Sequence, residues 1–301
     1  MMNDLVSVLI PVYNAADVID KCVQSLLNQT YNNIEIIMVD DCSTDNSYEV
    51  IKNWSRKVDN IFCYKNLTNS GCATTINNAL AHAKGSMIAV VDNDDYLEKD
   101  YIEYLLNLMK NGSADISICG WYIDDNEYRL RKKTISSKEA LNELLLDKTF
   151  KSYYWNKLYK RKVLGSTPFN EDQRFEDMAS MPFIFKNANV ISIGEEAKYH
   201  YLSGSTNFSA SNKMYLNYWL SKAYYERLIF VINNKIIGEA RDYVIKKTCY
   251  NSIGSWRELK RAKQKEEAND IYSRIKANKN LFLHSRVISL RHKLYLLARF
   301  I

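Results

Sequence analysis

The chain has 301 residues, 47% hydrophobic and 25% charged, with nine Gly, three Pro and a net charge of +6. This is the composition of a globular protein with room for one large domain, or a domain and a helical appendage; it excludes collagen-like, linker-rich and disordered classes. The charge is uneven. Residues 241–301 hold 15 Lys and Arg against 5 Asp and Glu, and the first 240 hold 26 against 30, so a basic tail follows a slightly acidic front and calls for a partner of its own.

The front alternates short apolar runs with amphipathic ones. "LVSVLIPVY" (5–13) reads as a buried strand and "DVIDKCVQSLLNQ" (17–29) as a helix with Val18, Ile19, Cys22, Val23, Leu26 and Leu27 on one face. Next come "IEIIMVD", a strand, "STDNSYEVIKNW", a helix opened by capping residues, and "NIFCYKN", a third strand. "SGCATTINNALAHAKG" is a helix ending on Gly85, and "SMIAVVD" a fourth strand. Strand–helix alternation with short connections predicts a mainly parallel sheet with helices on both faces. Ligands bind such sheets beyond the carboxyl ends of the strands, where "YN" at 13–14, "DDCSTD" at 40–45 and "DNDD" at 92–95 converge.

Further on, "ADISICGWYI" is a strand and "SSKEALNELLLD" a helix with a capping box from Ser136 to Glu139. "YYWNKLYKRKVL" is aromatic and basic. "RFEDMASMPFIFKNA" is an amphipathic helix from near Glu176 that Pro182 makes imperfect. Two short strands, "NVISIG" and "AKYHYL", follow, and everything after 213 reads helical. A boundary near 210 separates a first domain, residues 1–210, from a basic helical region, residues 211–301. The first domain divides into a front half over residues 1–112 and a second half over residues 113–210.

The six cysteines form no C-x-x-C pair and no zinc pattern, the pattern of reduced thiols in a cytosolic protein. "MMNDLVSVLIPVYN" lacks the basic start and long apolar core of a signal peptide. The longest apolar runs fall far short of the roughly 18–20 residues of a membrane span. The expectation is a cytoplasmic chain that does not cross a membrane.

Residues 6–47, "NSGCA" at 69–73, "VVDNDDYL", "WNKLYKR" and "FEDM" occur in the order and rough spacing of family-2 glycosyltransferases, which the chain resembles over about residues 5–205. The resemblance implies the GT-A fold, an inverting transfer from a nucleotide-sugar donor, and Mn²⁺ or Mg²⁺. It puts Asp40 on the base, with Pro11, Val12 and Tyr13 shaping the pocket, and Asp41, Asn69, Gly71, Asp92 and Asn93 on the rest of the donor. Asp92–Asn93–Asp94 fits the D-x-D motif, with Asp94 as the metal ligand and Asp92 on the donor or on the metal. A hard cation takes few protein carboxylates and completes its shell with phosphate oxygens and water. Asp95 is read as the cap of the next helix, outside the metal shell. Asp177, in the Glu176–Asp177 pair, is the candidate base that takes the proton of the acceptor hydroxyl. Trp155, Asn156, Lys157 and Glu176 lie on the acceptor side, and His200 is a further metal candidate.

Two positions depart from the family pattern. Ile76 and Leu202 stand where it often has Arg, leaving donor charge to the metal, to Lys157 or to a C-terminal cation. "QRFED" is not the Q-x-x-R-W signature of processive relatives.

At the C-terminus, Leu283, Val287, Leu290, Leu294, Leu297 and Ile301 make one apolar stripe if 281–301 is a single helix, with Arg286, Arg291, Lys293 and Arg299 largely off it. Three readings of it are open: docking on its own domain, homodimerisation, or peripheral contact with the inner face of the membrane. Nucleic acid is not expected, because the aromatics are not interleaved with basic residues in a recognisable motif.

The reading is a metal-dependent enzyme moving one sugar, most simply from a UDP-sugar, onto a surface or capsular glycan that can be lipid-linked. Transfer to polyprenyl phosphate and a non-catalytic nucleotide-sugar-binding subunit are the alternatives.

Overall fold

Strands β1 (Val6–Val12) and β2 (Ile34–Asp40) are buried at every residue. That is the mark of a parallel sheet covered on both faces, and it is why these segments read as unbroken β-branched runs. The structure, a computed structural model, describes residues 4–172, 174–203 and 213–300. The boundary expected near 210, Gln173 of "QRFED" and Ile301 of the tail stripe lie outside the described residues.

Ten strands form one sheet. Its front half is parallel, in the order β3 (Ile61–Lys65), β2, β1, β4 (Met87–Val90). The helices α1 (Ile19–Leu27), α2 (Ser47–Lys57) and α3 (Cys72–His82) supply the crossovers. The rest of the sheet continues from β4 through β9 (Lys157–Lys160), β6 (Ile116–Ile123) and β10 (Val190–Tyr201) to β5 (Tyr96–Leu97). There β9 runs antiparallel to both neighbours, while β6 and β10 are parallel. The short β7 (Asn126–Tyr128) and β8 (Lys133–Ser136) pair with β6 and β10. Helix α4 (Tyr101–Asn111) packs on β6, β9 and β10, and α5 (Ser137–Leu145) on α6 (Glu176–Asn187). The Ser136 hydroxyl accepts from the Glu139 amide, as the capping-box pattern predicts.

Three expectations change. Helix α3 ends at His82, not at Gly85. Gly85 is required because a Cβ there would lie 2.5 Å from the Leu5 carbonyl. Its amide donates to Ser7 Oγ and Glu35, so it joins the α3–β4 turn to the sheet. The two short strands expected before residue 203 are one twelve-residue strand, β10, whose register shifts between Ile193 and Tyr199 explain why its alternation looks broken.

The C-terminal stripe is not one helix either. Helix α7 (Lys213–Asn233) is followed by α8 (Glu239–Arg261), α9 (Lys265–His284) and α10 (Leu290–Arg299). Leu283 lies in the last turn of α9, Val287 lies in the connection, and of the stripe only Leu290, Leu294 and Leu297 share α10. Helix α10 docks on its own chain through Leu296 and Phe300, both fully buried, with Phe300 against Trp256 and Tyr272. No described helix is long and apolar enough to cross a membrane.

Candidate active site

Register brings the polar clusters together. Val12 pairs with Asp40, Asp40 with Lys65, and Leu9 with Val90, so the chain leaves β1 to β4 along one edge of the sheet. Pro11 and Val12 are buried there, and the Tyr13 ring is 45% exposed. The loops after β1 and β2 lock each other: Asn14 Oδ1 accepts from the Thr44 amide at 2.9 Å, and Ser43 Oγ from the Asn14 amide at 3.0 Å. Asn14 and Cys42 hold left-handed backbone there, at φ 49° and 58°.

The adjacent acids Asp40 and Asp41 do different things. Both Asp41 oxygens are used within the chain: Oδ1 accepts from Asn66 Nδ2 and the Ser70 amide, and Oδ2 from the Gly71 amide. Asp41 therefore builds the loop that starts α3, at the left-handed Gly71 (φ 86°). A paired acid at a strand end does not reveal which oxygen the next loop will claim. Asn69 is exposed on that loop. Asp40 is fully buried. Its Oδ2 accepts from the Ser43 amide and faces Lys65 Nζ at 3.5 Å. Its Oδ1 has no partner among the described residues, a costly arrangement for a carboxylate.

Beyond β4 the acids crowd. Asp92 Oδ1 accepts from the Tyr154 hydroxyl at 2.8 Å, and the Asp92 amide donates to Tyr199 Oη. Asn93 donates to the Pro11 carbonyl, tying this loop to the end of β1. Asp95 does not cap α4, whose N-cap is Asp100. It is fully buried, and accepts from the Tyr199 hydroxyl at 2.8 Å and the Leu202 amide at 2.9 Å, clamping the acidic loop to the end of β10. Glu176 and Asp177 open α6, where a helix N-terminus favours acids. Asp177 Oδ1 accepts from the Met178 amide.

Burial raises all of these groups, and repulsion from neighbouring acids adds to it in Asp92, Asp95 and Glu176. Asp92 is pushed up to about 7, by burial first and then by Asp94 and Asp177, against the Tyr154 hydrogen bond. Glu176 rises to about 8 through burial and then Asp177. Asp95 rises to about 9 through burial and then Asp92. Burial raises Asp94, and raises Asp177 against the pull of the Met178 amide, Arg227 and Lys157.

Among the described residues no group of three or more His, Cys, Asp or Glu is placed to hold a metal. A cation here would draw on Asp92 and Asp94 and take its other ligands from phosphate and water. That oxygen-only set fits Mg²⁺ or Mn²⁺, and a divalent charge would relieve the repulsion that adds to the effect of burial on Asp92.

The other site expectations fare unevenly. His200 is sandwiched between Tyr96 and Tyr122, and its Nε2 lies 2.8 Å from Glu98 Oε1. Trp155 is 5% exposed and stacks between Tyr153 and Tyr199, a packing role rather than a sugar platform. Asn156 and Lys157 are fully buried. Asn156 Nδ2 donates to the Cys119 carbonyl, and Lys157 Nζ to the Lys151 and Tyr153 carbonyls and Asn156 Oδ1. Both side chains are engaged by these internal partners. Burial pushes Lys157 down to about 7, against the pull of Asp177. Ile76 is wholly in the core, so nothing replaces an arginine at that point.

What sequence reasoning missed lies beside α6. A cleft of about 450 Å³ is lined by Gly71 and Cys72 at the start of α3, Asn170, Glu171, Asp172 and Arg174 before α6, Trp219 and Lys222 of α7, and Arg274 of α9. Its wall is Cys72, whose thiol lies 3.4 Å from the Tyr154 hydroxyl that bonds Asp92. Arg227 of α7 is fully buried under the same helix start. Its Nε donates to the Met178 carbonyl at 3.0 Å, and its guanidinium also meets Asp147 and Ser152. The one sequence signal for it was a lone cation in the apolar run "ERLIFVI".

Comparison with known proteins gives a consistent picture. Residues 7–173 match the family model described as Glycosyl transferase family 2. Glycosyltransferase GlyG of Streptococcus pneumoniae is 31% identical over 214 residues, 66% of this chain and 71% of GlyG. GlyA of the same organism is 32% identical over 59% of the chain, and the match spans only 27% of GlyA. An Escherichia coli protein, UDP-Glc:alpha-D-GlcNAc-diphosphoundecaprenol beta-1,3-glucosyltransferase WfaP, is 40% identical over 40% of this chain and 47% of its own length. Among solved structures, Staphylococcus aureus TarS 1–349 with UDP superposes with a TM-score of 0.64 at 19% identity, covering 96% of this chain and 82% of that one. A Pyrobaculum calidifontis mannosyltransferase with GDP-Man and Mn²⁺ superposes at 0.56 and 15% identity, covering 99% and 80%.

Proposed function

Because the chain belongs to glycosyl transferase family 2, an enzyme family, we propose that it moves one sugar from a UDP-sugar to a hydroxyl of a growing cell-surface glycan, with inversion at the anomeric carbon. The observation that carries this reading is the acid cluster. Asp92, Asp94, Glu176 and Asp177 come from two distant segments and raise one another's pKa or are raised by burial, and the sheet edge that carries Asp92 and Asp94 also carries Asp40, a strand-end carboxylate with an unpartnered buried oxygen among the described residues.

Asp40 Oδ1 accepts an N–H of the base, which would satisfy the orphaned oxygen, and the exposed Tyr13 ring covers the base. Asp94, with Asp92, would hold Mg²⁺ or Mn²⁺. That ion would offset the negative charge of the departing nucleotide. Tyr154 orients Asp92. Asp177 takes the proton of the acceptor hydroxyl as the new C–O bond forms and the nucleotide leaves with the electron pair of the old one. Arg227 and Lys157 oppose the effect of burial on Asp177 and so keep more of it ionised as a base.

The acceptor occupies the cleft beside α6, not the buried Trp155–Lys157 segment. Arg174, Trp219 and Lys222 offer hydrogen-bond donors and an aromatic edge there. The name of WfaP, a transferase acting on a diphosphoundecaprenol-linked sugar, supports a lipid-linked acceptor. UDP release from a panel of UDP-sugars with Mg²⁺ or Mn²⁺ tests the reading. A chain that binds UDP but never turns over any UDP-sugar, with or without glycan acceptors, would overturn it.

A further inference from the structure

Helix α10 has two apolar faces. One docks on α8 and α9 through Leu296 and Phe300, with His292 stacked on Tyr250. The other is bare: Leu290, Leu294 and Leu297 are 71%, 57% and 51% exposed, and their spacing of four and three residues makes one stripe. At 100° per residue, Arg291 and Lys293 fall roughly 70–90° to either side of that stripe. Neither has a carboxylate partner among the described residues.

The surroundings carry the same charge. Residues 271–301 contain seven Lys and Arg and no Asp or Glu. Two of those cations are engaged internally, Arg274 with Asp270 and Arg286 with Asp242. Lys276, Lys279, Arg291, Lys293 and Arg299 are left without an ion pair among the described residues.

We propose that α10 is a membrane-surface anchor. Leu290, Leu294 and Leu297 enter the boundary between headgroups and acyl chains of an anionic bilayer, and Arg291 and Lys293 meet lipid phosphates on either side. An apolar stripe flanked by cations, on a helix without acids, is the pattern of an interfacial helix. The stripe fits lipid better than a second copy of the chain. Three leucines expose on the order of 300 Å², against the roughly 800 Å² per partner that a stable interface buries. Two copies would also bring like charges together. The inference stands apart from the transferase reading, since it uses none of the active-site residues.

Flotation of the full chain with phosphatidylglycerol or phosphatidylcholine vesicles tests it, with circular dichroism and UDP-sugar turnover in solution as controls. The expected result is binding to phosphatidylglycerol vesicles that falls at least tenfold in Leu294→Glu/Leu297→Glu, falls with salt and in Arg291→Gln/Lys293→Gln, and is weak on phosphatidylcholine. Both double variants change exposed or half-buried side chains and should fold and turn over normally in solution. Equal flotation of the leucine double variant and the parent would overturn the proposal. So would a parent that ignores the vesicles but forms a dimer, by light scattering, that the leucine substitutions abolish. Loss of turnover in the parent would count against the transferase reading alone.

Discussion

Arg227 fills the gap that Pro182 leaves in α6. A residue at 182 with an N–H would donate to the carbonyl of Met178 four positions earlier; proline has none. Arg227 Nε donates to that carbonyl instead, at 3.0 Å. A side chain of the C-terminal helices thereby completes the helix turn that carries Asp177 and satisfies a group that would otherwise be buried unpaired. Arg227→Met should cost about 3 kcal/mol of stability, and transfer should fall further than UDP affinity does. Thermal unfolding beside steady-state kinetics checks this; a variant as stable and as active as the parent would remove Arg227 from the site.

Asp177→Asn keeps the size of the side chain and removes the proposed base. Its Oδ1 can still accept from the Met178 amide, so the fold is expected to persist. Transfer should fall by roughly 10²–10⁴, the usual contribution of a positioned general base, while UDP binding by calorimetry stays within about twofold.

Asp94→Asn addresses the cation. In the parent, UDP should bind more tightly with Mg²⁺ or Mn²⁺ than with a chelator. In the variant that difference should collapse, and turnover with it. A variant whose UDP affinity still rises with added metal would move the ion to other residues.

Glu176 gives a pH signature. Burial, then Asp177, raises its carboxyl to about 8 from 4.5. Between those values the unfolded chain has lost the proton and the folded chain keeps it, so this group's stabilising contribution is complete below about 4.5 and is lost as pH rises towards 8. Relative to Glu176→Gln, the parent should lose stability with rising pH across that window, by up to about 1.4 kcal/mol per unit. Denaturant unfolding of both proteins from pH 4.5 to 8.5 measures it; parallel curves would show that the carboxyl titrates normally.

Much of the sheet was legible because burial on both faces writes itself as continuous Val, Ile and Leu: "IEIIMVD" is residue for residue the strand β2. Loops were legible as chemistry and not as geometry. Asp41 and Asp95 look like ligand-facing and capping residues, yet their oxygens are claimed by the amides of Ser70, Gly71 and Leu202, partners 29 to 107 positions away. Trp155 and Lys157 sit in a motif that reads as substrate-facing, and the fold turns them inward against Tyr199 and the Tyr153 carbonyl. Periodicity can locate an amphipathic face, but not a break within it. The stripe from Leu283 to Leu297 spans two helices because Ser285 to Ser289 leave the helix between them.

The cleft beside α6 has a consequence for how such an enzyme can diversify. Its lining comes from α3, the segment before α6, α7 and α9, whereas Tyr13, Asp40, Asp92 and Asp94 stand on the ends of β1, β2 and β4. Cys72 of the cleft lining and Tyr154, which donates to Asp92, link the two. On the proposed reading, drift in the helical third of the chain would re-specify which glycan is extended while the strand edge proposed to bind the sugar donor is left unchanged.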